Sequence, residues 1–395
     1  MDRYTRREFL DSSLKTVTGL VLASSLGCGS RSSQREGLLS VPPDGYPLIE
    51  VAGSHHEIGR QLGSLMRKPI TNYLKMSPEY QRCLTYLQGD GRNKIEGMVA
   101  HVNTRFPHLV EEVEGMAEGL GIPFLSLFAY NCRSEINMLT GPSGCSTIAL
   151  RQDDQMILAH NEDGNDLNVG RMYLAKVKPP SGVSFLYFVY PGLIPGNAPG
   201  FNEAGIAQTT NYIQPREVAD GIPRYFISRA ILEARNLEEA LQIATTEPRA
   251  FPWHHNLLSF QERRLLSVET VAYPAHRHHV MEVEGIYVHT NHLLHPGMTS
   301  DNEGGDPPFD VPYESSTTRL EVLNRALESS GRPSGREDLL KLLSLHEGRP
   351  YSPCRHPTGD IHGATLGTAI FEAPAAGMTL YHGNPCYGFG KTYTL

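Results

Sequence analysis

Cys145 stands in Gly141-Pro-Ser-Gly-Cys-Ser-Thr-Ile-Ala-Leu150, where a turn-forming run gives way to a strand. If the Gly144–Cys145 bond were cut, one residue would carry both a thiol and an α-amine. A free α-amine has a pKa of about 8, close enough to neutrality to take the proton of a thiol of pKa about 8.5 and pass it to a leaving amine. Nucleophile and base would then belong to one residue, with no catalytic histidine required. The plain alternative is a small buried hydrophobe beside a strand, the usual lot of a free cysteine.

The neighbouring elements decide what can face this residue. Ser146 to Leu150 reads as a short strand, Arg151 to Gln155 as a turn and Met156 to Asp163 as the returning strand. A hairpin centred on Asp153 or the bond after it pairs residues whose numbers sum to about 306 to 308. Cys145 then lies opposite Asn161 to Asp163, and Asp163 comes within its reach.

With 395 residues, 39% of them apolar, and 38 glycines, the chain can bury a large core in one big domain or two or three ordinary ones. A net charge of −8 leaves no basic face, so no nucleic-acid partner is expected. The first thirty residues differ in kind. Thr5-Arg-Arg-Glu-Phe-Leu10 followed by Leu14 to Leu26 has the charged start and short apolar run of an export signal, and the paired Arg6 and Arg7 point to the twin-arginine route. The apolar run falls well short of the roughly 20 residues that span a bilayer. Cys28, after Ser25-Leu-Gly27, is similar to the cysteine of a bacterial lipoprotein box and is a candidate for lipid attachment, a tether to the membrane without a span. Ordinary peptidase cleavage nearby is the alternative, and Ser30 to Gly37 is a polar linker. A periplasmic or extracellular protein is expected.

From Leu48 to Ser143 the pattern is helical after an opening strand at 48–51; His108 to Leu120 keeps its apolar residues on one face, with Gly121 as the stop. After Cys145 the pattern turns to strands, at 171–177, 183–190, 204–210, 257–261, 265–269, 278–283 and 286–290. Helices interrupt at 223–234, 237–244, 316–328 and 336–345. Clustered strands and clustered helices argue for antiparallel sheets with helices on their outer faces. A closing hairpin is expected from 367–373 and 377–381, and Pro296 to Pro312 reads as a long loop.

Glu50-Val-Ala-Gly-Ser-His-His-Glu-Ile-Gly59, Gly144-Cys-Ser-Thr147, His160-Asn-Glu-Asp163, Gly200-Phe-Asn-Glu-Ala-Gly-Ile206, Thr290-Asn-His292, Ser315-Ser-Thr-Thr-Arg319 and Gly383-Asn-Pro-Cys386 occur in that order. Together they resemble the acyl-coenzyme A:6-aminopenicillanic acid acyltransferase family, the autoproteolytic C45 peptidases among the N-terminal nucleophile hydrolases, over residues 48 to 395. The resemblance implies an α+β fold, a four-layer αββα sandwich of two stacked antiparallel sheets, made as a precursor that cleaves itself between Gly144 and Cys145. The organisation would be an export signal and linker over 1–37, a helical pro-segment over 38–144 and a β-rich, nucleophile-bearing chain over 145–395, the two chains staying together in one domain. By the same resemblance Asp163 would accept a hydrogen bond from the Cys145 amine or the substrate, Asn291 would donate to the oxyanion, and Arg319 would orient the nucleophile or a substrate carboxylate. Asn211 is similar to a second site asparagine, with Tyr212 the alternative if the alignment slips by one. Ser146 stands where a threonine is usual.

The expected reaction is hydrolysis of a small-molecule amide or peptide through an acyl thioester on Cys145. Transfer of the acyl group to an amine acceptor is the alternative, but little acyl-coenzyme A is available outside the cytoplasm. No cofactor and no metal are expected. Seventeen histidines raise a metal-binding alternative, yet His289 and His292 on a strand point to opposite faces, and Cys83, Cys132, Cys354 and Cys386 lack CxxC spacing. A non-catalytic exported lipoprotein of the same fold is the remaining rival.

Overall fold

The computed structural model describes residues 45–137, 144–152, 154–298, 310, 313–359 and 361–395. The export signal, the linker, Cys28, the turn at 141–143 and most of the loop at 296–312 lie outside the described residues.

Strand β1 (Leu48–Ala52) leads into six helices, α1 (His55–Leu65), α2 (Arg67–Met76), α3 (Pro78–Tyr86), α4 (Gly91–Arg105), α5 (Pro107–Leu120) and α6 (Phe124–Asn131). Strands β2 (Ser146–Gln152), β3 (Gln155–Asn165), β4 (Tyr173–Lys178), β5 (Phe185–Val189), β6 (Gly200–Asn202) and β7 (Ile206–Tyr212) follow, then α7 (Arg224–Ile231) and α8 (Leu237–Ala244). Next come β8 (Trp253–Ser259), β9 (Arg264–Val271), β10 (Arg277–Glu282) and β11 (Gly285–His289). Helices α9 (Glu314–Ser330) and α10 (Arg336–Leu343) precede β12 (Gly363–Ala373), β13 (Met378–His382) and β14 (Gly390–Tyr393).

The strands form two sheets, ordered β1-β4-β5-β6-β7-β8-β9-β10 and β11-β2-β3-β12-β13-β14. One pair departs from the expected antiparallel arrangement: β1 runs parallel to β4, with Leu48 beside Leu174. Parallel neighbours need a long crossover, and the six helices between them provide it. The closing hairpin forms between β12 and β13, and β14 extends the sheet by one strand.

Period-two alternation sorts the strand residues into layers. Ile148, Leu150, Ile157, Ala159 and Ile370 turn outward to meet Leu323, Leu339 and Leu343 of α9 and α10. On the far side, Ile206, Leu257, Leu266 and Val268 pack on Ile231, Leu237, Ala240 and Ala244 of α7 and α8. Between the sheets lie Ala149, Leu158 and Phe371 against Phe188, Phe201 and Leu258, with the Phe201 and Phe371 rings 6.3 Å apart. Each large aliphatic or aromatic side chain so buried contributes about 1.5–3 kcal/mol. The result is a four-layer αββα sandwich.

The helical region before Cys145 is locked to the sheets without relying on the covalent chain. Gly59 of α1 and Gly115 of α5 let two helix backbones touch: a Cβ on either would sit 1.9 Å from a carbonyl oxygen of the other helix. Glu112 of α5 accepts two hydrogen bonds from Arg229 of α7, at 3.0 and 2.7 Å, and lies 3.2 Å from His55 of α1. Burial works to raise the Glu112 carboxyl, but the Arg229 charge prevails and holds it down to about 2. Phe128 of α6 stacks on Phe226 of α7 at 4.9 Å.

Candidate active site

The β2–β3 hairpin sets Ser146 opposite Asn161 and Thr147 opposite His160, inside the register expected from sequence. One step further along that ladder places Cys145 opposite Glu162. Alternation then decides which side chains share its face. On β2, Ile148 points outward and Thr147 inward, so Cys145 points inward with Thr147. On β3, Ile157 and Ala159 point outward with Asn161 and Asp163, while His160 and Glu162 point inward.

Glu162 is therefore the carboxyl that meets the thiol. The Cys145 thiol hydrogen-bonds to it, and Cys145 Sγ, a His160 ring nitrogen and a Glu162 carboxyl oxygen lie within 4.8 Å of one another. Tyr190 Oη donates to Glu162 Oε1 at 2.5 Å, and His160 links Glu162 Oε2, at 3.3 Å, to Thr147 Oγ1, at 2.8 Å. All of these groups are buried. Burial drives the Glu162 carboxyl up to about 8 and the His160 imidazole down to about 3. Burial, with Glu162 and Asp163 adding negative charge, pushes the Cys145 thiol well above its ordinary value. These polar atoms are already engaged with one another, which makes the trio a proton-sharing chain.

The main chain of Cys145 is held from three sides. Its nitrogen donates to Asn291 Oδ1 at 2.9 Å; its carbonyl accepts from Arg319 Nη1 at 2.5 Å and from Asn211 Nδ2 at 3.3 Å. Arg319 also donates to Ser146 Oγ at 3.0 Å and to Asn291 Oδ1 at 2.7 Å. Although arginine in the first turns of a helix is commonly solvated, Arg319 of α9 is fully buried here. Asn211 Oδ1 is itself fixed by Thr147, His254 and Asn256 at 2.9–3.2 Å.

The structure thus brings Cys145, Asn211, Asn291 and Arg319 together and rearranges two expected contacts. The Cys145 nitrogen goes to Asn291, not Asp163, because Asp163 points to the opposite face of β3, where Thr365 donates to its Oδ1 at 2.7 Å. Asn291 presents an acceptor where a donor was expected. Two donors converge on its oxygen, and its Nδ2 is spent on the Tyr212 carbonyl at 2.9 Å. Tyr212 is thereby a backbone contact of the site, and Asn211 supplies the side chain.

Arg355 is the residue that sequence gave least reason to single out. It is fully buried, and none of its three guanidinium nitrogens has a hydrogen-bond partner among the described residues. Its charge opposes the burial that raises the Asp163 carboxyl to about 7. The Asp163 Oδ2 atom is likewise buried and without a hydrogen-bond partner among the described residues. The histidines weighed for a metal go separate ways: His289 bonds to Glu269 at 2.9 Å, His292 to Ser316 at 2.7 Å and His295 to Ser267 at 2.9 Å.

The sequence model of the acyl-coenzyme A:6-aminopenicillanic acid acyl-transferase family matches residues 150–387. The chain belongs to that family. It is an enzyme of the amide hydrolase and acyltransferase kind, acting on C–N bonds. Over 381 residues it is 23% identical to the beta-alanyl-dopamine/carcinine hydrolase of Drosophila melanogaster, a match covering 86% of this chain and 93% of that one. Among solved structures, a Caenorhabditis elegans ortholog of N-acylethanolamine-hydrolyzing acid amidase matches at 14% identity with a TM-score of 0.40, over 64% of this chain and 100% of that chain.

Proposed function

We propose that this family member is an exported, self-processing amide hydrolase whose nucleophile is Cys145, released as a chain terminus by cleavage after Gly144. The observation that carries the reading is the placement of both reactive atoms of one residue: the Cys145 nitrogen on Asn291 Oδ1 and its thiol on the Glu162 carboxyl. In self-cleavage the thiol yields its proton to the Glu162 carboxylate and its sulfur adds to the Gly144 carbonyl carbon. Collapse breaks the Gly144–Cys145 C–N bond as the nitrogen takes up a proton, leaving Gly144 as a thioester on Sγ. Water then releases the Gly144 carboxylate and restores the thiol.

A carboxyl titrating near 8 suits a base that must work at neutral pH. Once cut, the new α-amine stays beside Asn291 and takes over the base role toward a substrate amide. Packing between α1, α5 and α7 supports a mature enzyme in which both chains stay together as a heterodimer. The sequence features at 1–28, including a candidate lipid attachment at Cys28, support export by the twin-arginine route to the periplasm or exterior, where water is the abundant acyl acceptor.

The hydrolase relative acts on β-alanyl-dopamine and carcinine, which supports a small linear amide as substrate. Arg355 adds to this a donor fork suited to a substrate carboxylate. Wild-type protein should run as two fragments, the second beginning Cys145-Ser-Thr, whereas Cys145→Ala should remain one inactive chain; an intact and active wild type would end the proposal. Screening N-acyl amino acids beside their decarboxylated counterparts tests the substrate class. Arg355→Met should raise KM roughly tenfold or more for the former alone, in line with about 1.5–3 kcal/mol for a charge-assisted hydrogen bond. Equal effects on both series would exclude that role.

A further inference from the structure

A second group of thiols lies beside the start of β12 in the six-stranded sheet. His346 follows α10, Cys354 and His356 belong to the segment leading into β12, and Cys386 sits in the turn between β13 and β14. One ligand atom from each of the four comes within 4.8 Å of all the others. His356 Nε2 lies 3.1 Å from His346 Nε2, 3.5 Å from Cys354 Sγ and 3.5 Å from Cys386 Sγ. A ring nitrogen offers one proton or one lone pair, so hydrogen bonding can account for only one of these three approaches.

A common metal ion accounts for all three. With Zn–N of about 2.0–2.1 Å and Zn–S of about 2.3 Å, a regular tetrahedron has edges of about 3.4 Å between nitrogens and about 3.6 Å between nitrogen and sulfur. The separations of 3.1 and 3.5 Å lie close to both. We propose that His346, Cys354, His356 and Cys386 form a closed Cys2His2 site for a structural Zn2+.

The surroundings suit that assignment. Both cysteines are free thiols. Asn384 Nδ2 donates to Cys354 Sγ at 3.3 Å and to the Arg355 carbonyl at 2.6 Å, a hydrogen bond to a thiolate ligand of the kind that orients metal sites. Soft thiolates with imidazoles in a four-coordinate cage favour zinc over magnesium or calcium. The ion would join three separate stretches of chain. It would also brace Arg355, which lies between two of the ligands and whose backbone nitrogen donates to Thr365 Oγ1, the group that holds Asp163.

The test uses full-length protein carrying no polyhistidine tag, purified without chelator. Elemental analysis should find one zinc per molecule in wild type and equally in uncut Cys145→Ala, so the result stands apart from self-processing. Replacing zinc with Co2+ should give the visible bands of a tetrahedral site and a near-ultraviolet thiolate-to-cobalt charge-transfer band. Cys386→Ser, a change at an exposed position, should weaken zinc retention at least tenfold and reduce the charge-transfer intensity. Chelation should expose Cys386 to alkylation. Metal-free wild type after growth in added zinc, zinc retained unchanged by Cys386→Ser, or a Cys354–Cys386 disulfide in a peptide map would each overturn the assignment.

Discussion

The two groups of thiols differ in what surrounds them. Cys145 is buried between the sheets with carboxyl groups of Glu162 and Asp163 nearby, while Cys354 and Cys386 face imidazoles of His346 and His356. Carboxyl groups can take a thiol proton but also repel the thiolate that results, so a thiol among them serves as a nucleophile formed in transit. Neutral imidazoles at metal-ligand spacing leave a place for a cation, which deprotonates its thiols outright and makes them inert. Geometry follows the same division. The Cys145 main chain is fixed by Asn291, Arg319 and Asn211, whereas the second group converges from three stretches of chain on one point.

Removing the carboxyl partner of Cys145 should have the largest effect. Glu162→Gln should slow self-cleavage by roughly 10²–10⁴-fold, the range of a lost general base. The rise of the cleavage rate with pH, centred near 8 in the wild type, should disappear with it. Asp163→Asn should do less to that pH profile, because Asp163 faces away from the thiol. Equal flattening by both substitutions would defeat the assignment of Glu162 as base. Time courses of precursor loss on denaturing gels across pH 5–9 supply the measurement.

Glu162 also ties the site to stability. In the folded chain its carboxyl and that of Asp163 titrate near 8 and 7, against about 4.3 and 3.9 unfolded. Between those values the folded state binds more protons than the unfolded one, so stability falls as pH rises from about 4 through 8. In the uncut Cys145→Ala background, adding Glu162→Gln should flatten that decline in denaturant titrations. The same burial that readies the carboxyl as a base therefore works against the fold at alkaline pH.

Much of this was legible in the sequence because local signals carried it. The β2–β3 register followed from the turn between two apolar runs, and the helical and stranded halves divided where the patterning changed. Parity along β3 was also available, and it selects Glu162; the register taken without parity and the family resemblance both drew attention to Asp163. Arg319 was reached only through the family resemblance and Arg355 not at all, since arginine is usually solvated and nothing local marks one as buried. Gly59 and Gly115 acquire meaning only once α1 and α5 are known to touch. The Cys2His2 group was passed over for the same reason: its members span forty residues without a local motif, and only folding brings them together.

Gly144 gives a smaller effect, through crowding at the Cys145 site. A Cβ added there would lie 2.5 Å from Arg319 Nη2 and 3.0 Å from Asn291 Oδ1. Gly144→Ala must therefore displace one of the two side chains that hold the Cys145 nitrogen and carbonyl. Arg319 has little room to yield, being fully buried with three hydrogen bonds to maintain. Misplacing a reacting group by about 1 Å can cost about 10²-fold, so self-cleavage should slow by roughly 10- to 100-fold. Once cut, however, the mature chain begins at Cys145 and carries no trace of the substitution, so its turnover per processed molecule should match wild type. A mature enzyme impaired by Gly144→Ala would mean that the new carboxyl end remains part of the working site, and active-site titration of the processed fraction distinguishes the two outcomes.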